Sequence, residues 1–242
     1  EEVFYVYAKT REGDILERLL KGFKGVLVSD FYTAYDSIQC DQQKCLIHLM
    51  RDLNDAVLKQ PYDEELKGLV KSFADLVRPM VETVDRYGLK SHFSRKHLRV
   101  VDRFYRDLLR CHFLTETALK FKDRFEQNRY KLFTFLSHDG VPWNNNNAEH
   151  AIKALAMLRN VFGGVTSEKG IQEYLILLSV CQTCKYQGLD FLDFLRSGEK
   201  DIEVFAQSKR RKRRNPFPQQ TPRNFDSDGS PGPKVGQVPH LE

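Results

Sequence analysis

The stretch Gly25-Val26-Leu27-Val28-Ser29-Asp30 decides how the rest of the chain is read. Its apolar residues are consecutive, not alternate, which is the pattern of a strand covered on both faces. Upstream, Gly13 to Leu20 reads as a short amphipathic helix with Ile15, Leu16, Leu19 and Leu20 on one side. Before it, Val3-Phe4-Tyr5-Val6-Tyr7-Ala8 is β-branched and aromatic and predicts another strand. Strand, helix, buried strand is a parallel crossover, so the opening is α/β. A sheet that starts at the first residue predicts a chain entering in the middle of a domain. Asp30 closes the central run. A carboxylate at the carboxyl end of a parallel strand faces the crevice where α/β proteins bind ligands. Aspartate also caps turns there, and position alone leaves both readings open.

Working outward, Gln42 to Leu58 is helical in pattern and Pro61 breaks it. Asp63 to Tyr87 gives the clearest helix, with apolar residues from Leu66 through Val84 at helical spacing. Pro79 inside it predicts a kink, and Gly88 predicts its end. Ser94 to Arg110 and Thr115 to Ser137 read as two further helices, opened by Ser and Thr caps. Asn144 to Asn160 is another, closed by Gly163-Gly164. Gly170 to Gln187 is apolar nearly all round, which predicts burial. Leu189 to Leu195 is a short helix stopped by Gly198. The expected organisation is an α/β core in two pieces, 1–59 and 138–206, separated by a helical insertion at 60–137 and followed by a basic Pro/Gly-rich tail at 207–242.

The formal charge is +5, yet six basic residues stand together from Lys209 to Arg214. Residues 215–242 carry a net of −1, from Arg223 and Lys234 against Asp226, Asp228 and Glu242. The arithmetic +5 − 6 + 1 leaves the body at zero, so the basic balance belongs to the tail. Six of the nine prolines also lie beyond Lys209, and Ser208 to Glu242 reads as disordered. No apolar run approaches the roughly 18–20 residues of a membrane span. Glu1-Glu2-Val3-Phe4 lacks the basic and apolar regions of a signal peptide. Five scattered cysteines favour a reducing compartment over a disulfide framework.

Chemistry-bearing residues are few. Pro142-Trp143-Asn144-Asn145-Asn146-Asn147-Ala148-Glu149-His150 places Glu149 in the first turn of a helix that an asparagine caps. There it is stabilised by the helix dipole; alternatively it projects toward Asp30 and shares a divalent metal with it. Cys45-Leu46-Ile47-His48 sets a thiol and an imidazole one turn apart, with Arg51 a turn further. Two such ligands do not make a zinc site, and no second pair matches them. Cys181 and Cys184 lie in an apolar helix and read as buried structural thiols. No nucleophile elbow and no Gly-rich phosphate loop is present.

Three strings in order, Gly25 to Tyr35, Cys45 to Leu53 and Asn145 to Lys153, followed by Gly163-Gly164, resemble the IS66 family of bacterial insertion-sequence transposases, of the DDE class. The resemblance spans nearly all of residues 1–206 and stops before the tail. It implies a ribonuclease-H-like fold with a large α-helical insertion, and an Asp-Asp-Glu triad holding two Mg²⁺ (or Mn²⁺) ions. Asp30 matches the second Asp and Glu149 the Glu, while Cys45, His48 and Arg51 match the framework. Carboxylates are the hard ligands Mg²⁺ requires, and paired metals clamp both oxygens of an in-line phosphoryl displacement. The first Asp has no counterpart. Asp14 falls in a helix and cannot replace it, so the N-terminal strands are expected to be missing. The resemblance further implies DNA as partner, at element ends and target, with self-association on DNA. It implies a bacterial, cytoplasmic, nucleoid-associated protein that catalyses metal-dependent strand cleavage and transfer. The alternative is an inactive remnant that only binds DNA or another protein. Lys153, Arg159, Lys209, Arg210 and Arg211 are the candidate phosphate contacts.

Overall fold

A computed structural model describes residues 2–8, 13–161 and 167–214. Its backbone is mostly helical with one two-stranded sheet, a mixed α/β architecture. The chain divides into two compact units, one of Val3–Gln182 and one of Glu1–Glu2 with Thr183–Glu242.

The first unit opens differently from the expectation. Residues 2–8 are extended, and exposure alternates along them, Phe4 and Val6 facing out. They join no sheet, because an extended segment becomes a strand only through a ladder partner, and the sheet holds two other strands. Tyr5 is anchored instead by its N–H to Ser179 Oγ (3.0 Å) and its hydroxyl to the Ala151 carbonyl (2.6 Å). Helix α1 (Asp14–Leu19) follows, then β1 (Val26–Ser29). The parallel partner of β1 is β2 (Asp41–Lys44), in register Val26↔Asp41 to Ser29↔Lys44, with a short 3-10 helix over Thr33–Ser37 in the crossover. Residues 42–44, expected to begin a helix, are therefore strand. Val26 to Val28 are only half-buried, so β1 is not covered on both faces.

Five helices complete the core of this unit: α2 (Leu46–Lys59), α3 (Glu64–Tyr87), α4 (Ser91–Ser94), α5 (Leu98–Arg110) and α6 (Glu116–Gln127). The Asp63 side chain caps α3 by accepting from Leu66 N, and the helix continues through Pro79 to Gly88, whose φ is +71°. The sequence placed Ser94 and Thr115 as caps, yet neither side chain caps a helix. Ser94 ends α4 and donates to the Lys90 carbonyl. Just before α6 the chain is held by a distant residue: Glu65 Oε2 accepts from Leu114 N and Thr115 N, both at 2.8 Å. Those backbone N–H groups, Thr115 first, hold the Glu65 carboxyl below the ordinary carboxylate range. After α6 the expected helix gives way to turns and a 3-10 segment at Thr134–Leu136.

One buried apolar cluster unites these pieces, drawing on α2, α3, α5, α6 and residues 132–136. The 60–137 block thus shares its core with α2. Two further helices, α7 (Asn146–Val161) and α8 (Glu168–Tyr186), follow. The closure at Gly163-Gly164 lies outside the described residues. Uniform burial of α8 is corrected: Leu175, Leu178 and Cys184 are buried, but Ile176 and Leu177 are exposed. A helix apolar all round carries no periodic signal to say which face finds neighbours.

In the second unit, α9 (Phe191–Ser197) is capped by Asp190 Oδ1 and closed by Gly198 at φ +70°. The last helix, α10 (Ile202–Arg214), is opened by Asp201 Oδ1, which accepts from Glu203 N and Val204 N. Phe194 and Phe205 pack edge-on at 5.4 Å. The basic cluster is therefore helical through Arg214, against the expectation of disorder from Ser208. Cations at a helix C-terminus are favoured by its dipole, which reconciles the charge run with the helix. Residues 215–242 lie outside the described residues. Among the described residues, no helix is long and apolar enough to cross a membrane.

Buried charge behind the sheet carries a pH prediction. Lys44, on β2, is almost fully buried, and its Nζ reaches Asp36 Oδ1 (3.1 Å) and Ser29 Oγ (3.4 Å). Lys131 Nζ meets the same Asp36 oxygen at 2.8 Å. Partial burial alone would raise the Asp36 pKa, but the bonds from Lys131 and Lys44 outweigh it and hold the carboxyl below its usual range. A depressed folded pKa gives stability that is present above the unfolded value and lost as pH falls through the folded one. Asp36→Asn should cost about 1–2 kcal/mol at neutral pH, discounted from a fully buried pair because Asp36 is 43% exposed. Below pH 4 the difference from the parent should shrink, as read by urea unfolding across that range.

Candidate functional site

The site forms at the carboxyl ends of the two parallel strands. Asp30 follows the last residue of β1 and Cys45 the last residue of β2, and Cys45 N donates to the Ser29 carbonyl at 2.8 Å. Asp30 is held in a local turn, its Oδ1 accepting from Tyr32 N at 2.9 Å. Burial pushes the nearby Tyr35 phenol up, and the Asp30 charge adds to that shift. Phe31, the next residue, lies under the Arg124 guanidinium at 4.0 Å, and Arg124 pairs with Asp52 of α2 at 2.7 Å.

Helix α2 starts one residue after Cys45, and the helical step brings His48 and Arg51 toward the same side. The Asn-rich loop then closes on this helix start. Leu46 N donates to the Trp143 carbonyl (3.0 Å), and Asn145 N donates to Cys45 Sγ (3.3 Å). Asn144 Oδ1 accepts from Asn146 N at the start of α7. These bonds fix the first turn of α7 over α2. Glu149 Oε1 therefore lies 3.6 Å from His48 Nε2, and Oε2 lies 3.8 Å from Arg51 Nη1. Donor atoms of Cys45, His48 and Glu149 all fall within 4.8 Å of one another. Cys45 is fully buried. Glu149 Oε1 and His48 Nδ1 are buried with no hydrogen-bond partner.

Glu149, Cys45, His48 and Arg51 are thus brought together, with Asp30 on the adjoining strand end but outside the three-donor group. Lys153 is exposed on α7, one turn past Glu149, and Arg159 lies on the same helix, its side chain not described. In the second unit, Lys209 Nζ pairs with Asp193 Oδ2 (2.8 Å) and sits 5.4 Å from the Phe205 ring centre. Arg210 is exposed on α10, and Arg211 follows it, its side chain outside the described residues. Cys184 is buried and Cys181 half-buried, and all five cysteines are free thiols. Sequence reasoning missed Lys44 and the backbone N–H of Asn145. Both depend on β2, whose polar sequence gave no strand signal.

Acid, thiol and imidazole gather at the carboxyl ends of a parallel strand pair, the edge at which open α/β sheets bind ligands. The chain belongs to the transposase IS66 family, whose family model matches residues 1–173. Two uncharacterized proteins of Sinorhizobium fredii (strain NBRC 101917 / NGR234) are also similar. The protein y4qI is 26% identical over 219 residues, covering 80% of this chain and 39% of the relative. The protein y4jD is 26% identical over 204 residues, covering 78% of this chain and 40% of the relative. The chain therefore spans about two fifths of the length of these curated relatives. No solved structure matches it.

Proposed function

We propose that residues 1–59 and 138–206 are part of a ribonuclease-H-like catalytic domain interrupted by the helical insertion at 60–137. In this reading the domain acts in metal-dependent cleavage and strand transfer of DNA, with Asp30 and Glu149 as two of its three carboxylates. The observation that carries the proposal is the approach of Glu149, about a hundred residues downstream, to the helix that starts beside Asp30. The third acid of the triad has no counterpart assigned in this sequence.

The residues fit divalent Mg²⁺ or Mn²⁺. Glu149 Oε1 is a buried carboxylate oxygen lacking a hydrogen-bond partner, the kind of group a hard cation satisfies. Asp30 and Glu149 would hold the ions, which when bound would stabilise charge on the attacking and leaving oxygens of the phosphodiester. The chain's own residues do the rest. Tyr32 N orients the Asp30 carboxylate, and Arg51 holds one oxygen of Glu149 while partly balancing its charge. Lys153 and Arg159, both on α7, would take up backbone phosphates of DNA, a role that positions the strand without reading its sequence. Assembly of two or more copies on DNA belongs to the same reading.

The test uses protein extended upstream of Glu1. It should nick DNA carrying element ends only with Mg²⁺ or Mn²⁺, and Asp30→Asn or Glu149→Gln should reduce nicking to background. Full activity in either variant would sink the assignment. The second reading is an inactive remnant that binds DNA or protein. It is favoured by the presence of a single acid, Glu149, in the gathered donor group of the described residues. DNA binding without nicking by the extended protein would decide for it.

A further inference from the structure

We infer that Cys45, His48 and Glu149 form a transition-metal site of their own, suited to a single Zn²⁺ and distinct in chemistry from a pair of hard Mg²⁺ ions. The sequence offered only two ligands one helical turn apart. The fold supplies the third from α7. The donor set is sulfur, nitrogen and oxygen, which selects zinc-like cations over Mg²⁺.

The spacing is near what such an ion needs. Tetrahedral ligands at Zn–N and Zn–O distances of about 2.0–2.1 Å stand roughly 3.3–3.4 Å apart. His48 Nε2 and Glu149 Oε1 are separated by 3.6 Å, and no donor of the three is more than 4.8 Å from another. A closure of a few tenths of an ångström for that pair, and about 1 Å at most for the thiol, completes three of four positions. The surroundings suit a ligated thiolate. Asn145 N–H points at Cys45 Sγ (3.3 Å), an outer contact of the kind that tunes metal-bound ligands. Arg51 occupies Glu149 Oε2 and leaves Oε1, buried and without a hydrogen bond, facing His48. Binding would displace the Cys45 thiol proton to solvent, forming one Zn–S bond for one S–H broken. The fourth position is left for water or an exogenous ligand.

One consequence rests on the proposed transposase reading. Zinc on Glu149 would withdraw that carboxylate from a Mg²⁺ site, so Zn²⁺ would oppose Mg²⁺-dependent nicking. The zinc site itself does not need that reading, and its test does not use nicking. Co²⁺ titrated into the full chain should bind one per chain. It should give a thiolate-to-cobalt charge-transfer band in the near ultraviolet, together with the strong visible bands of four-coordinate cobalt. Cys45→Ser should abolish the thiolate band, while Cys181→Ser, at a half-buried thiol of α8, should leave it. His48→Asn and Glu149→Gln should weaken Zn²⁺ by about tenfold or more in chelator competition. Trp143 fluorescence reports whether each variant is folded. Should Cys45→Ser fail to fold, the two other variants still decide. No thiolate band, a band that survives Cys45→Ser, or Zn²⁺ affinity unchanged in both His48→Asn and Glu149→Gln would overturn the site. A missing band would leave the nicking test of the transposase reading untouched.

Discussion

Phe73→Ala is expected to lose about 3–5 kcal/mol of stability, a large share of the roughly 5–15 kcal/mol that holds a domain folded. Phe73 is 1% exposed at the centre of the shared core. Its ring lies 4.9 Å from Phe125 and 6.2 Å from Phe104, and those two stand 5.4 Å apart. The three rings come from α3, α6 and α5, so truncating Phe73 strips aromatic contacts from two other helices at once. The hole is ringed by stiff aromatic groups that cannot swing into it, which puts the cost toward the upper end. Trp143 is the sole tryptophan and packs against this same cluster, so its fluorescence in urea follows this unit alone. The midpoint should fall with the slope unchanged. Tyr62→Ala, at a residue 92% exposed, should stay within about 0.5 kcal/mol of the parent and serves as control.

The same helices show what the sequence makes legible. Leu66, Leu69, Phe73, Leu76, Val77 and Met80 repeat at helical spacing between an Asp cap and a Gly stop, and α3 runs between those two residues. Local signals of that kind fail where the partner is distant. Thr115 stands at the cap position of α6 without capping through its side chain, and its own N–H is held by Glu65, 50 residues upstream. Val3 to Ala8 has every strand propensity and no ladder, because propensity says what a segment can do and pairing needs a neighbour. For the candidate site, Asp30 was visible from its place after an apolar strand, Glu149 from its place at a helix start, and the Cys45–His48 step from its one-turn spacing. The approach of Glu149 to Cys45 and His48 was not visible. It depends on Asn145 and Trp143 bonding the start of α2, contacts across a hundred residues that no local pattern encodes.

Gln43→Leu is expected to lose about 2–4 kcal/mol, from a residue that its sequence neighbours would place on a surface. Asp41-Gln42-Gln43-Lys44 has no apolar residue, yet three of its four side chains are buried. Gln43 is fully buried because its amide replaces missing backbone partners. Nε2 donates to the carbonyls of Lys44 (2.7 Å) and Leu132 (2.8 Å), and Oε1 accepts from Phe135 N (2.9 Å). Thr134 Oγ1 adds a bond to the Gln42 carbonyl at 2.6 Å. Together these bonds tie β2 to residues 132–136 and satisfy the Gln43 amide inside an apolar core. Leucine keeps the bulk but strands one N–H and leaves two carbonyls short of a donor; each buried group so left costs about 1–3 kcal/mol, not fully additive. Gln43→Glu tests the cause. It can still accept from Phe135 N but loses both donations and adds buried charge, so it should be worse than leucine. Urea unfolding followed by Trp143 fluorescence ranks the three proteins. Equal stability of Gln43→Leu and the parent would mean that apolar packing, and not this amide, holds β2 in register beside β1. The placement of Cys45 and Asp30 at the strand ends would then need another explanation.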